Sequence, residues 1–233
     1  MEIDKWEKES TFLSFSFFLI RSFPVFPFYY FLVLRFGVRV IIGLGNPGPE
    51  YRKTRHNVGF WVVEILAQRW GIRLSRRAFL SLTGDGQLKG EKVLLVQPET
   101  YMNRSGETAR RIRDFYRLEL SDFVVVHDDL NLPLGRVRVK RGGGGAGGNR
   151  GVASLIAAFG SKEFVRIKVG IGRPPGRQDP ADFVLQPFTP QEEASILPAV
   201  DNAAGAVEMW ISDGIEKTMA AVNGTVQPEV EQP

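Results

Sequence analysis

Cysteine is absent from the 233-residue chain, which excludes a disulfide framework, thiolate nucleophiles and Cys-ligated zinc. Histidine is scarce: His56 and His127 are the only two, so any imidazole chemistry rests on one of them. No internal repeat is found, and no G-x-S-x-G motif surrounds Ser105 to make it a nucleophile. An uninterrupted membrane span is also missing. Residues 11–35 are strongly apolar, but Arg21, Pro24 and Pro27 break a run that would need about 20 apolar residues. A secretory signal does not fit either, because the first ten residues, MEIDKWEKES, lean acidic and no A-x-A-like cleavage site follows. The readings left are a segment upstream of the true start, a targeting or membrane-surface segment, and a packed appendage. We expect residues 1–37 to be a non-native or disordered apolar extension, with a compact domain beginning at Val38 and no stable membrane association.

The rest of the composition is that of a globular protein, 43% hydrophobic and 24% charged, and long enough for one well-filled domain. The net charge of +4 favours a polyanionic partner only weakly, so the placement of the charge matters more than its sum. The 25 glycines gather in particular loops.

Val38 to Leu44 (VRVIIGL) has the β-branched, apolar character of a buried central strand. Helical spacing from Val58 to Trp70 ends at Gly71. Phe79–Gln87 and Lys92–Gln97 read as two strands of a hairpin turning near Gly90. Residues 103–117 read as a helix with one basic face. Phe123 to His127 forms a second buried strand ending in Asp128 and Asp129, and Arg136 to Lys140 alternates as a half-exposed strand. A glycine tract, 142–148, leads into a helix from Arg150 to Phe159, and Phe164–Ile171 is a further strand. Thr189, Pro190 and Glu192 spell a capping box. That box opens a long helix, expected to kink at Pro198 and reach Trp210, with a shorter helix after Asp213. The pattern predicts a single three-layer α/β/α domain over 38–222, with a mixed, mostly parallel central sheet and a polar, frayed tail from Asn223.

Five features carry candidate chemistry. Gly43-Leu44-Gly45-Asn46-Pro47-Gly48 matches G-x-G-x-x-G after a strand, but two prolines and the charged stretch Glu50–Arg55 separate it from the next helix. A dinucleotide site is therefore disfavoured. The alternatives are a structural turn or a loop presenting Asn46 and Tyr51 to a reactive group. His56 follows this loop at the start of a helix, near a strand end where open α/β sheets place their ligands, and imidazole is the usual base near neutral pH. His127, inside an apolar strand, is expected to pack in the core or orient the adjacent loop.

Asp128 and Asp129 could orient an imidazole or hold a metal; without a second acidic or histidine cluster, we favour Asp128 as the partner of His56 and expect no metal. Asn103, in Pro98–Gly106, could donate to an oxyanion or simply cap a helix. The run Arg136–Arg150, with Lys140 and Arg150 bracketing glycines and Lys168 on a later strand, could grip an anion through side chains and free amides, or be a solvated loop.

Together, IIGLGNPGPEYRKTRHNVGF, QPETYMNRSGE, VVVHDDLNLPLGRVRVK, RIKVGIGRP and EMWISDGI resemble the bacterial-type peptidyl-tRNA hydrolase family over roughly Val38 to Val222. The resemblance implies a monomeric, cytoplasmic, cofactor-free α/β enzyme that cleaves the peptide from the 3′ end of tRNA. It implies His56 as general base, Asp128 as its partner, and Asn46 and Asn103 as amides that position the peptide. Tyr51 and Tyr101 would line the site, Lys140 with Lys168 would hold the acceptor-stem phosphate, and DNA is not an expected partner. One departure stands out: many members carry His-Asn where this chain has Asn149-Arg150, so either residue could take the substrate-binding role there. A catalytically silent RNA-binding relative would lack His56, Asp128 or Asn103, and all three are present. A nucleotide-dependent oxidoreductase is the other rival and would require NAD(P).

Overall fold

The computed structural model describes residues 37–224; the extension and most of the predicted tail, 1–36 and 225–233, lie outside it. Seven strands form one sheet in the order β2-β3-β4-β1-β5-β7-β6. In chain order these are β1 (Val38–Gly43), β2 (Arg76–Ala78), β3 (Ser81–Leu88), β4 (Glu91–Pro98), β5 (Phe123–Asp129), β6 (Val137–Arg141) and β7 (Val165–Gly170). β4, β1, β5 and β7 run parallel, while β3 and β6 pair antiparallel with their inner neighbours. The helices are α1 (Val58–Trp70), α2 (Ser105–Tyr116), α3 (Arg150–Phe159), α4 (Pro180–Val184), α5 (Pro190–Asp213) and α6 (Ile215–Gly224).

Successive strand residues point to opposite faces, and the core divides accordingly. Ile41, Val93, Leu95, Val124 and Val126 pack with Val62 and Leu66 of α1 and Val200, Ala203 and Val207 of α5. Val40, Ile42, Leu94, Val96, Phe123 and Val125 pack with Ile112 of α2 and Leu155 of α3. Central strands buried on both faces explain why β1 and β5 read as continuous apolar runs rather than alternating ones.

Two glycines set the approach of α1 to the sheet. A Cβ on Gly43 would lie 2.2 Å from the Gly59 carbonyl oxygen, and one on Gly59 would lie 2.5 Å from both the Leu44 backbone and the Val126 oxygen. Only glycine lets the first turn of α1 press against the ends of β1 and β5, and this contact carries the preceding residues, His56 among them, over the end of β5.

Four features differ from the sequence expectations. Phe79 and Leu80, expected to begin a strand, instead form a tight turn with φ of 55° and 60°, which makes Arg76–Ala78 an additional edge strand. The helix opened by Thr189 is continuous through Pro198 and extends to Asp213. The polar tail does not start at Asn223. That residue lies in the last turn of α6, and its side-chain amide pairs with both the N–H and the carbonyl of Val139, each at 2.9 Å. An asparagine amide has the same donor and acceptor as a peptide group, so it satisfies a residue of the edge strand β6. α4, capped by Asp179, was also not anticipated.

Candidate active site

His56 lies in a 3-10 turn, Arg55–Asn57, that runs directly into α1. It is 9% exposed, and its Nδ1 is 2.9 Å from each carboxylate oxygen of Asp128, the penultimate residue of β5. A carboxylate accepts, so Nδ1 carries the hydrogen, and the lone pair of the neutral ring sits on Nε2. Burial is the largest single influence on His56 and by itself would lower its pKa. The charge of Asp128 and the hydrogen bond to it together outweigh burial, and Arg150 opposes them, leaving the pKa raised above its ordinary value.

The turn is held from both sides. Asn57 accepts from the Asn46 N–H at 2.8 Å and donates to the Asn46 carbonyl at 2.9 Å, binding the loop after β1 to the start of α1. Asn46 accepts, through Oδ1, from the Met102 N–H at 2.9 Å, which draws in the segment after β4. On the other side, the buried Arg55 guanidinium donates to the carbonyls of Phe183, Gln186 and Pro187 and makes a two-point pair with Glu192 at 3.0 and 2.7 Å. It also lies over the rings of Phe183 and Phe188, 4.1 and 5.2 Å from their centres. Position 55 thus ties the histidine turn to the N-terminal cap of α5.

Around the pair, Tyr51 and Tyr101 meet edge to face at 6.5 Å, and Tyr101 is 57% exposed. Asn103 is exposed, within the 3-10 turn Met102–Arg104. It does not cap α2, whose N-cap position is Arg104. Asn149 is buried: Oδ1 accepts from the Gly151 and Val152 N–H groups at 3.0 and 3.1 Å, while Nδ2 donates to Asp128 Oδ1 at 2.8 Å. Its neighbour Arg150 is exposed. His127 is buried and donates through Nδ1 to the Asp128 carbonyl at 2.7 Å; burial pushes its pKa down.

The glycine-rich loop rests on an unanticipated residue. Arg166 of β7 is fully buried, and its guanidinium donates to the carbonyls of Gly143, Gly144, Gly145 and Lys162. Lys140 reaches the same loop; a Cβ on Gly144 would stand 2.6 Å from its Nζ. Lys168 is paired with Asp129 at 2.6 Å, and the Asp129 pKa is lowered: burial would raise it, but Lys168 and the Asn131 N–H prevail. Asp128 and Asp129 thus face different partners, and no three His, Asp or Glu side chains among the described residues converge on a possible metal position.

The structure therefore joins His56, Asp128 and Asn149 by hydrogen bonds, while Asn46 is bonded to Asn57, the residue after His56, and to Met102, and Tyr51, Tyr101 and Asn103 lie in the neighbouring loops. Lys140 and Lys168 belong to the adjoining strands β6 and β7. Sequence reasoning missed Asn57, Arg55 and Arg166. The first two flank His56 in the triplet RHN and could have been suspected from that position; Arg166, on an apolar strand, gave no signal of burial under a loop.

A sequence model of the peptidyl-tRNA hydrolase family matches residues 40–231. The peptidyl-tRNA hydrolase of Carboxydothermus hydrogenoformans is 50% identical over 184 residues, which are 79% of this chain and 97% of that protein. That of Bacillus cytotoxicus is 45% identical over 186 residues, 80% of this chain and 100% of the relative. The crystal structure of peptidyl-tRNA hydrolase from Acinetobacter baumannii superposes with a TM-score of 0.75 at 35% identity, over 80% of this chain and 94% of the other. Extent of match, identity and fold all agree with the motifs around His56 and Asp128: the chain belongs to the peptidyl-tRNA hydrolase family.

Proposed function

We propose that this protein hydrolyses the ester joining a peptide to the 3′ end of tRNA, with His56 as the general base for water. The observation that carries the reading is the His56–Asp128 pair at 2.9 Å, in a member of this family. Neutral Nε2 takes a proton from water as the oxygen attacks the ester carbonyl. The imidazolium, held by Asp128, then returns the proton to the departing ribose 3′-oxygen, and the peptide leaves as a carboxylate.

The exposed amide of Asn103 donates to the carbonyl oxygen as negative charge develops there. Asn46 makes its Oδ1 contact within the protein, and its Nδ2 hydrogens serve the peptide backbone, which an N-blocked substrate has and a free aminoacyl ester lacks. Tyr51 and Tyr101 flank the terminal adenosine and the peptide. Lys140 and the loop amides meet the acceptor-stem phosphate, with Arg150 adding charge beside the base. Lys168 contributes to the same electropositive strip from within its pair with Asp129. A monomer working in the cytoplasm completes the proposal; no helix among the described residues is long and apolar enough to cross a membrane.

The deciding assay compares N-acetyl-aminoacyl-tRNA with unblocked aminoacyl-tRNA. The blocked ester is expected to be cleaved far faster, and His56→Ala is expected to lose about 10²–10⁴ in rate. Equal rates on both esters, or full activity in His56→Ala, would overturn the reading.

A further inference from the structure

The Asp128 carboxylate is buried, and a buried carboxylate needs more than one donor to replace its lost water. His56 Nδ1–H supplies one donor and Asn149 Nδ2 the other, at 2.8 Å to Oδ1. The two act differently. Nδ1 of His56 stands equally far from both carboxylate oxygens, so the imidazole alone does not choose a carboxylate rotation. Asn149 engages Oδ1 at 2.8 Å and, at 3.4 Å, the main-chain carbonyl of the same residue, so it anchors one carboxylate oxygen together with the backbone that bears it.

Asn149 is itself fixed. Its Oδ1 caps the first turn of α3 through two backbone N–H groups, a stronger anchorage than rotamer preference alone. One amide therefore joins a helix N-terminus to the carboxylate that orients the base. These contacts use both ends of the amide, which argues against a direct contact with substrate.

We propose that Asn149 is a positioning residue of the reaction, which holds Asp128 in the orientation that receives Nδ1–H of His56. This rests on the hydrolase reading above. It divides two adjacent residues: Asn149 is buried and works on Asp128, while Arg150 is exposed and its charge acts on His56.

Asn149→Ser separates the candidate roles, because serine caps a helix about as well as asparagine but has no amide to donate to Asp128. The expected result is a Tm within about 4 °C of the parent, and kcat lower by about ten- to a hundredfold with KM little changed. The His56 pKa, read by NMR, is expected to move upward because the Asp128 charge is no longer shared, with Arg150 present in both proteins. Asn149→Asp is the second variant: it also caps, but sets a like charge beside Asp128 and moves the His56 pKa further up. Full kcat with an unmoved His56 pKa in both variants would reduce Asn149 to a helix cap and overturn the proposal. A raised KM with kcat and the His56 pKa unmoved would make it a substrate contact and overturn it equally. A parent that fails to cleave the blocked ester would sink the hydrolase reading instead, while the NMR titration would still report on Asn149.

Discussion

The two histidines occupy opposite environments. His56 is buried yet raised in pKa, because Asp128 outweighs desolvation and the opposing charge of Arg150; His127 is buried against a main-chain carbonyl and lowered. With only two imidazoles in the chain, an NMR titration is expected to show one group titrating above about 6.5 and one below it. With His56 as the proposed base, the acid limb of kcat/KM is expected at its raised pKa, since only the neutral ring can accept a proton. Asp128→Asn is expected to move that limb to lower pH and reduce kcat by about a hundredfold or more. A limb that stays in place would contradict the assigned base.

The signs for stability differ in the same way. A raised folded-state pKa means that the His56–Asp128 pair stabilises the fold fully below about pH 6.5 and ceases to as pH rises through the folded value. For His127, the folded state resists protonation, so stability falls as pH drops below about 6.5 toward its folded value.

Among the elements, the histidine turn depends on partners far away in sequence. β1 and β5 meet α1 through Gly43 and Gly59, whose missing side chains permit contacts that a Cβ would close to 2.2 and 2.5 Å. Arg55 links the same turn to α4 and α5 through three carbonyls and Glu192. Arg55→Met keeps much of the apolar stem but leaves those acceptors unpaired. It is expected to cost about 3 kcal/mol in urea unfolding, the low end for breaking a buried pair because Glu192 keeps some solvent contact. Activity is expected to fall in the folded variant; unchanged stability would mean that the clamp carries no load. Strands, helices and the capping box were legible because each is written in local periodicity and cap residues. The short β2 escaped because Phe79 and Leu80 look like strand residues, and nothing local announces that both adopt positive φ.

Across the whole molecule, positive charge collects on one face of the sheet. Lys140 and Arg138 of β6 and Arg166 and Lys168 of β7 share that face through strand alternation and register. Arg166 is buried beneath the glycine loop with carbonyl partners, and Lys168 is paired with Asp129, which leaves the exposed Arg138 and the half-buried Lys140, and of these Lys140 is the one that reaches the glycine loop. Lys140→Met is expected to raise KM with little change in kcat, and to lower the slope of log(kcat/KM) against log salt by about 1. A slope identical to the parent's would remove Lys140 from the phosphate contact.

Local order in the chain specified the α/β alternation, the central strands, the helix caps and the family motifs, because these depend on neighbours a few residues apart. It also singled out His56, by scarcity and by its place after a loop at a strand end. The folded arrangement settled which groups meet: Asp128 lies 72 residues from His56 and Asn149 a further 21 beyond Asp128. Hydrogen bonds of that range depend on sheet register and helix approach, which no local pattern encodes. For the same reason Asn149 reads as a candidate substrate ligand in the sequence, whereas in the fold it is buried and donates to the Asp128 carboxylate.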